Sequence, residues 1–206
     1  LANQPELDEV NFWQPGGNNQ FQALSPGELF LFKLHSPLNF IVGGGVFALS
    51  SLLPASLAWE SFGIGNGATT IVEMRARIEK YRKQRPAPHE DYRIGCIILT
   101  QPFFLPRDRW IPVPASWHPN IVQGKTYAHD EVEGRRLWSA VQDALQGTRA
   151  DAIALRPADG IDTRDAALRF GEPTLVRPRL GQGSFRVCVT DAYERRCAVT
   201  KERTLP

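Results

Sequence analysis

Between Gln101 and Asn120 the chain places five prolines, Pro102, Pro106, Pro112, Pro114 and Pro119. Proline fixes φ and removes a backbone donor, so this segment is expected to be neither a regular helix nor a central strand. Just upstream, Cys96-Ile97-Ile98-Leu99 is an apolar run of strand length, bounded by Gly95 and Gln101-Pro102. The stretch from Gly95 to Tyr127 therefore reads as a buried strand feeding a long, stiff loop. It carries Phe103, Phe104, Trp110 and Trp117 together with Arg107, Arg109 and Lys125. Long loops inside a compact domain are usually functional. Large π-faces beside cations suit an unstacked base and its phosphates. The same residues would also serve as an aromatic mini-core capped by surface charge.

The 206 residues suffice for one large domain, or for one domain and part of a second. A net charge of +2 does not by itself announce a nucleic-acid partner. No run approaches the roughly 20 apolar residues of a membrane span, so no membrane partner is expected. The N-terminus has neither a basic region nor an apolar one, so no signal peptide is expected. Cys96, Cys188 and Cys197 are an odd number of cysteines, which fits free thiols in a cytoplasmic setting. No Cys-x-x-Cys or His-x-x-His pair occurs, and no metal site or cofactor is expected in this chain. Glu90-Asp91 and Asp130-Glu131 read as helix caps and solvated charge. No catalytic residue is assigned.

In chain order, Val10 to Trp13 is a candidate strand, Leu29 to Leu34 a second, and Phe40 to Phe47 a third, interrupted by Gly43-Gly44-Gly45. Glycines inside a strand predict a bulge or a close backbone approach. A short helix is expected within Leu53 to Phe62. Gly63-Ile64-Gly65-Asn66-Gly67 follows it and lacks the Lys-Ser/Thr ending of a phosphate loop, so it reads as a turn needing positive φ. Thr70-Ile71-Val72-Glu73 is a capping box, and Ile71, Met74, Ile78 and Tyr81 continue at helical spacing. The other face of that helix holds Arg75, Arg77, Lys80, Arg82, Lys83 and Arg85, suited to phosphates or to solvent. Asp130 to Leu145 predicts a helix stopped by Gly147. Thr148 to Thr174 is rich in Ala, Asp, Arg and Pro, with a short helix expected near Thr163 to Phe170. In the basic tail, Phe185 to Val189 and Cys197-Ala198-Val199 look strand-like. The expected layout is a domain over 1–150, a linker over 151–174 and an incomplete module over 175–206.

Two resemblances sharpen this. Arg179-Leu180-Gly181-Gln182-Gly183-Ser184-Phe185-Arg186, then Tyr193, Cys197-Ala198-Val199-Thr200 and Glu202-Arg203-Thr204-Leu205-Pro206, resemble the segment just before the ββα-metal core of HNH restriction endonucleases. Lys201 stands where that family often has glycine. The resemblance implies a nuclease as the parent protein. Its divalent metal and catalytic histidines would belong to a domain beyond this chain. Residues 1–150 resemble the N-terminal domains of predicted HNH restriction endonucleases, through Asn11-Phe12-Trp13, Leu29 to Leu34, Ile41 to Gly45, Ala58-Trp59 and Gly124 to Tyr127. The layout is also similar to the PUA-like superfamily of EVE, YTH and SRA domains. The fold so implied is α+β: a PUA-like curved β-sheet or open barrel with flanking helices, plus a partial C-terminal extension. The implied function is recognition of a modified base in double-stranded DNA, by flipping it into an aromatic pocket, to target an HNH endonuclease in modification-dependent restriction. A homodimer through the parent protein is compatible with this. The alternative is an RNA-binding or protein-interaction PUA-like domain that flips no base.

Extruding a base costs a few kcal/mol, and one base on an aromatic face returns about 1–3 kcal/mol. Two aromatics with an amide or a backbone pair would suffice. The stacking candidates are Trp13, Trp59, Phe103, Trp110 and Trp117. Asn11, Asn39 and Asn66 are candidate edge readers, since an amide both donates and accepts; each is otherwise a turn residue. Arg75, Arg107, Arg109 and Lys125 are the phosphate candidates. Trp138 is assigned to a helix core.

Overall fold

The structure, a computed structural model, describes residues 7–17, 20–83, 86–87, 90–118, 120–121, 124–154, 181–194, 196–197 and 200–202, with backbone alone over 149–154. The expected helix near 163–170, most of the expected linker, residues 179–180, the Ala198-Val199 pair and the last four residues lie outside the described residues. Five strands occur among them: β1 (Glu9–Gln14), β2 (Leu29–Lys33), β3 (Phe40–Pro54), β4 (Arg93–Phe104) and β5 (Ile111–Pro112). Four α-helices accompany them: α1 (Ala55–Phe62), α2 (Ile71–Tyr81), α3 (Val132–Ala154) and α4 (Gln182–Ala192). The architecture is α+β with an antiparallel sheet. The chain divides into two compact units, one of residues 1–104 with 180–206 and one of residues 105–179.

In the first unit four strands run antiparallel in the order β1-β4-β3-β2. Strand alternation splits β4 between two cores. Ile94, Cys96 and Ile98 face helices α1, α2 and α4, in a cluster with Leu53, Leu57, Ala58, Met74, Ile78 and Val187. Ile97 and Leu99 face the other way, against Val10, Phe47, Phe21, Phe30 and Phe32. Both faces are covered, which is why the sequence of β4 reads as a continuous apolar run. β3 shifts register at Gly44/Val46 and again at Phe47/Leu49. Bulges bend a strand and raise its twist. Gly44 permits the crowding there: a Cβ on it would lie 2.5 Å from the Phe30 carbonyl oxygen and 2.9 Å from the Phe103 ring.

The capping box forms as the sequence predicts. The Glu73 backbone N–H donates to Thr70 Oγ1 at 3.1 Å. The Glu73 carboxylate reaches one residue further back than expected, to the Thr69 N–H and hydroxyl, both at 2.8 Å.

Three local expectations change. β4 continues through Pro102 to Phe104. Its pairing with β1 ends at Thr100, so Pro102 lies where the strand has β3 alone beside it, a position where a missing donor is tolerated. Gln101, at φ 50°, supplies the irregularity. The stretch Phe185 to Val189 is helical. Its Phe-x-Val-x-Val alternation imitates a strand, but the helix buries Ser184 and Val187 and leaves Phe185 62% exposed. Helix α3 runs through Gly147, where the Arg109 guanidinium occupies the space a Cβ would need.

The second unit holds β5, α3 and a largely irregular path from Leu105 to Glu131, with a 3-10 turn at Arg107–Arg109. The long proline-bearing loop is therefore real, but it begins after Phe104. No helix among the described residues is long and apolar enough to cross a membrane.

Candidate nucleic-acid interface

β1 and β2 are the two outer strands of the four-strand path, yet their side chains meet. Phe12 on β1 lies 6.0 Å from Phe32 on β2, ring centroid to ring centroid, with planes 11° apart, and 5.3 Å from Phe30. Flat sheets hold such strands well apart, since neighbours are spaced at about 4.8 Å. The sheet is therefore strongly curled, and its inner face is lined with phenylalanine. Phe32 also stacks on Phe104 at 5.8 Å, and Phe21 sits edge-on to Phe30 and Phe47. Phe47 is buried as the floor, whereas Phe12 remains 48% exposed at the rim. Leu38, in the turn after β2, is equally exposed. At the end of β2, Lys33 Nζ donates to Asn39 Oδ1 at 2.8 Å and to the Leu34 carbonyl at 2.9 Å. Asn39, at φ 49°, thus holds a cation one residue beyond Phe32.

Three of the proposed site residues do come together, in a different role. Asn11 Nδ2 donates to Asn66 Oδ1 at 2.9 Å and to Cys96 Sγ at 3.3 Å. Asn66 Nδ2 donates to the carbonyls of Ala58 and Gly63, at 3.1 and 2.9 Å. Trp13 Nε1 donates to the Asn66 carbonyl at 3.0 Å. Both asparagines are buried. They clamp the 3-10 turn Gly63–Asn66 between α1 and β1, and their amide N–H groups and Asn66 Oδ1 are spent there, while Asn11 Oδ1 is buried with no hydrogen-bond partner among the described residues. Gly63 and Gly67 take positive φ around this turn, in keeping with its reading as a backbone device.

The remaining candidates of the first unit are distributed around it. Trp59 packs partly buried against the helix-side core. Phe103 lies over Gly44. Arg75 donates to the Glu90 carbonyl at 2.5 Å and lies 3.8 Å from Glu79 and 3.9 Å from Asp91. Its guanidinium also sits 4.8 Å from the Tyr92 ring centroid, and that of Arg82 sits 4.4 Å away. Burial, reinforced by the Glu79 charge, pushes the Tyr92 phenol up to about 12. Arg75 is thus a packing and pairing residue within its unit.

In the second unit the aromatics do sit beside cations. Arg107 lies 5.7 Å from the Trp110 ring, whose Nε1 donates to the Leu105 carbonyl at 3.1 Å. Lys125 lies 4.8 Å from the Tyr127 ring and donates to Ser116 Oγ at 2.6 Å. Ser116 in turn bonds the Glu133 carboxylate. Arg107 and Lys125 are exposed; Arg109 lies against α3 at Gly147. Trp117 is half-buried, its backbone N–H on the Pro114 carbonyl at 2.9 Å. Trp138 is 41% exposed, edge-on to His129, rather than in a helix core. A shallow hollow of 200 Å³ in this unit is lined mainly by Ile111, Pro112, Pro114, Leu137 and Ala140.

Among the described residues no group of three or more His, Cys, Asp or Glu is arranged to hold a metal ion. Sequence reasoning passed over Phe12, Phe30 and Phe32 while favouring tryptophans. The available signal was Phe30-x-Phe32 on one strand and Phe12 on another, which alternation places on one face each. No family model, curated protein or solved structure matches the chain.

Proposed function

We propose that this chain is a nucleic-acid reader: a PUA-like module that holds a modified base of double-stranded DNA against the phenylalanine face of its curled sheet and directs an HNH endonuclease of the same parent protein. The observation that carries this reading is the meeting of Phe12 and Phe32 across the sheet. It gathers phenylalanine rings on the inner face of the curled sheet and leaves Phe12 48% exposed at their rim. A face of π-systems binds any base by stacking, and about 1–3 kcal/mol per base is enough to offset much of the cost of extrusion. Asn39, whose Oδ1 accepts from Lys33, stands at the end of β2 as an amide able to discriminate a base edge. Arg107 and Lys125 are exposed cations of the second unit, each beside an aromatic ring and each suited to a backbone phosphate.

Competition binding against duplexes bearing 5-methylcytosine, 5-hydroxymethylcytosine, N6-methyladenine or phosphorothioate tests this reading. One of them should outcompete plain duplex; a flat panel contradicts it.

A second reading, as a protein-interaction module, draws on the same face. Phe12 and Leu38 are large apolar groups in solvent, and the ammonium group of Lys33 is already hydrogen-bonded. Exposed apolar patches of this kind mark protein contacts as well as ligand grooves. Absence of any measurable affinity for nucleic acid of either type favours this second reading.

A further inference from the structure

The outer edges of the β1-β4-β3-β2 path differ. At β1 the 3-10 turn Gly63–Asn66 lies against the strand, with Gly65 backing onto the Glu9 carbonyl and Asn66 held by Trp13. At β2 the described residues place β3 on one side and no strand on the other. Every second residue of an edge strand turns its N–H and C=O outward, so such an edge is a template for another strand. Natural edges are usually protected by proline, inward charge or a bulge within the strand. Leu29-Phe30-Leu31-Phe32 has no proline and no charge, and its bulge falls only at its end, between Phe32 and Lys33.

We infer that a second copy of this chain pairs along β2, antiparallel, with the two-fold axis at Leu31. The segment is self-complementary about that residue. In this register Phe30 stands opposite the other copy's Phe32, giving two aromatic cross-strand pairs on the phenylalanine face. Leu31 meets its own copy on the opposite face. Lys33 stands opposite Leu29 on the face that carries Leu31, and Glu28 stands opposite Leu34 on the phenylalanine face. An isologous contact of this kind closes at two copies and leaves no further edge of the same type. The pairing extends the phenylalanine face that the nucleic-acid reading also uses, but its mass and cross-linking readouts need no nucleic acid.

The test combines mass measurement with site-directed cross-linking. Sedimentation or light scattering of the full chain should give twice the mass of the 206 residues at micromolar concentration. Leu31→Lys places two ammonium groups opposite each other and should return the protein to monomer. Its thermal midpoint checks that it remains folded. In a Cys188→Ser, Cys197→Ser background, Leu31→Cys should form a disulfide-linked dimer under mild oxidation. Leu29→Cys in the same background should not, because position 29 faces position 33. This second arm decides the matter even if Leu31→Lys fails to fold. A monomer at all accessible concentrations overturns the proposal and leaves the edge to a foreign strand. A dimer that cross-links at 29 and not at 31, or that survives Leu31→Lys, overturns it as well.

Discussion

Phe12 and Phe32 stack nearly parallel, 6.0 Å apart, although they belong to the two outer strands of a single four-strand path. That contact records how far the sheet has curled. Beneath it Phe47 is buried, while Phe12 stays half in water. Floor and rim should therefore respond differently to truncation. Phe47→Ala removes a ring from a packed site and is expected to cost about 3–5 kcal/mol. Phe12→Ala loses far less burial and should cost under about 1.5 kcal/mol. Urea denaturation of the two variants measures the difference.

The exposed cations of the second unit give a salt-dependent signature. Each phosphate contact contributes close to one unit to the slope of log affinity against log salt. Lys125→Ala and Arg107→Ala are each expected to reduce that slope by about one while weakening all duplexes alike. Titrations at several salt concentrations read this directly. A change in sequence or modification preference without a change in slope would assign these residues to base contacts instead.

Asn66 is expected to behave as a structural residue. Its side chain accepts from Asn11 and donates to two carbonyls, all in a buried setting. Replacement by alanine leaves these partners unsatisfied, each at about 1–3 kcal/mol before relaxation. Asn66→Ala should therefore lower stability by on the order of 3 kcal/mol. The denaturation midpoint checks it, and binding per folded molecule should be unchanged.

The start of α2 should be acid-sensitive. The Thr69 backbone N–H and hydroxyl, with Arg77 adding to them, hold the Glu73 carboxyl below its ordinary 4.5. A carboxyl whose folded pKa is lowered contributes stability above the unfolded pKa and loses it as pH falls through the folded value. The wild type and Glu73→Gln should accordingly differ in thermal midpoint at pH 6 and converge as pH falls through and below 4.5.

Much of the first unit was legible because local signals agreed with its tertiary structure. Thr70 and Glu73 announced a capped helix. Val10 to Trp13 and Leu29 to Leu34, apolar and aromatic between turn clusters, read as strands. The glycines of β3 announced a bulge, and the close approach came from β2 and β4 themselves. Where the reading missed, a long-range contact overruled a local rule. Pro102 forbids a central strand only if both neighbours are present, and the pairing of β4 with β1 ends at Thr100. Phe185 to Val189 alternates like a strand, but Ser184 and Val187 bury at helical spacing against the first unit.

The candidate site was less legible, for a similar reason. Indole area and amide chemistry can be listed from a sequence, but burial cannot. Asn11 and Asn66 proved to be buried and bonded to each other, with Asn11 Oδ1 left without a partner among the described residues, while the exposed π-face came from phenylalanines that local reasoning assigned to strands. Their convergence is a long-range property of the curled sheet, whose β3 shifts register at Gly44/Val46 and at Phe47/Leu49, and no short window encodes it.

The most direct measurement of the central claim is the affinity of Phe12→Ala for the duplex that the wild type prefers, with plain duplex as the control. The account predicts a loss of about 5- to 150-fold for the preferred duplex, the equivalent of one stacked base, with little change for plain duplex. Equal affinity of Phe12→Ala and wild type for the preferred duplex, with both proteins folded, would contradict it.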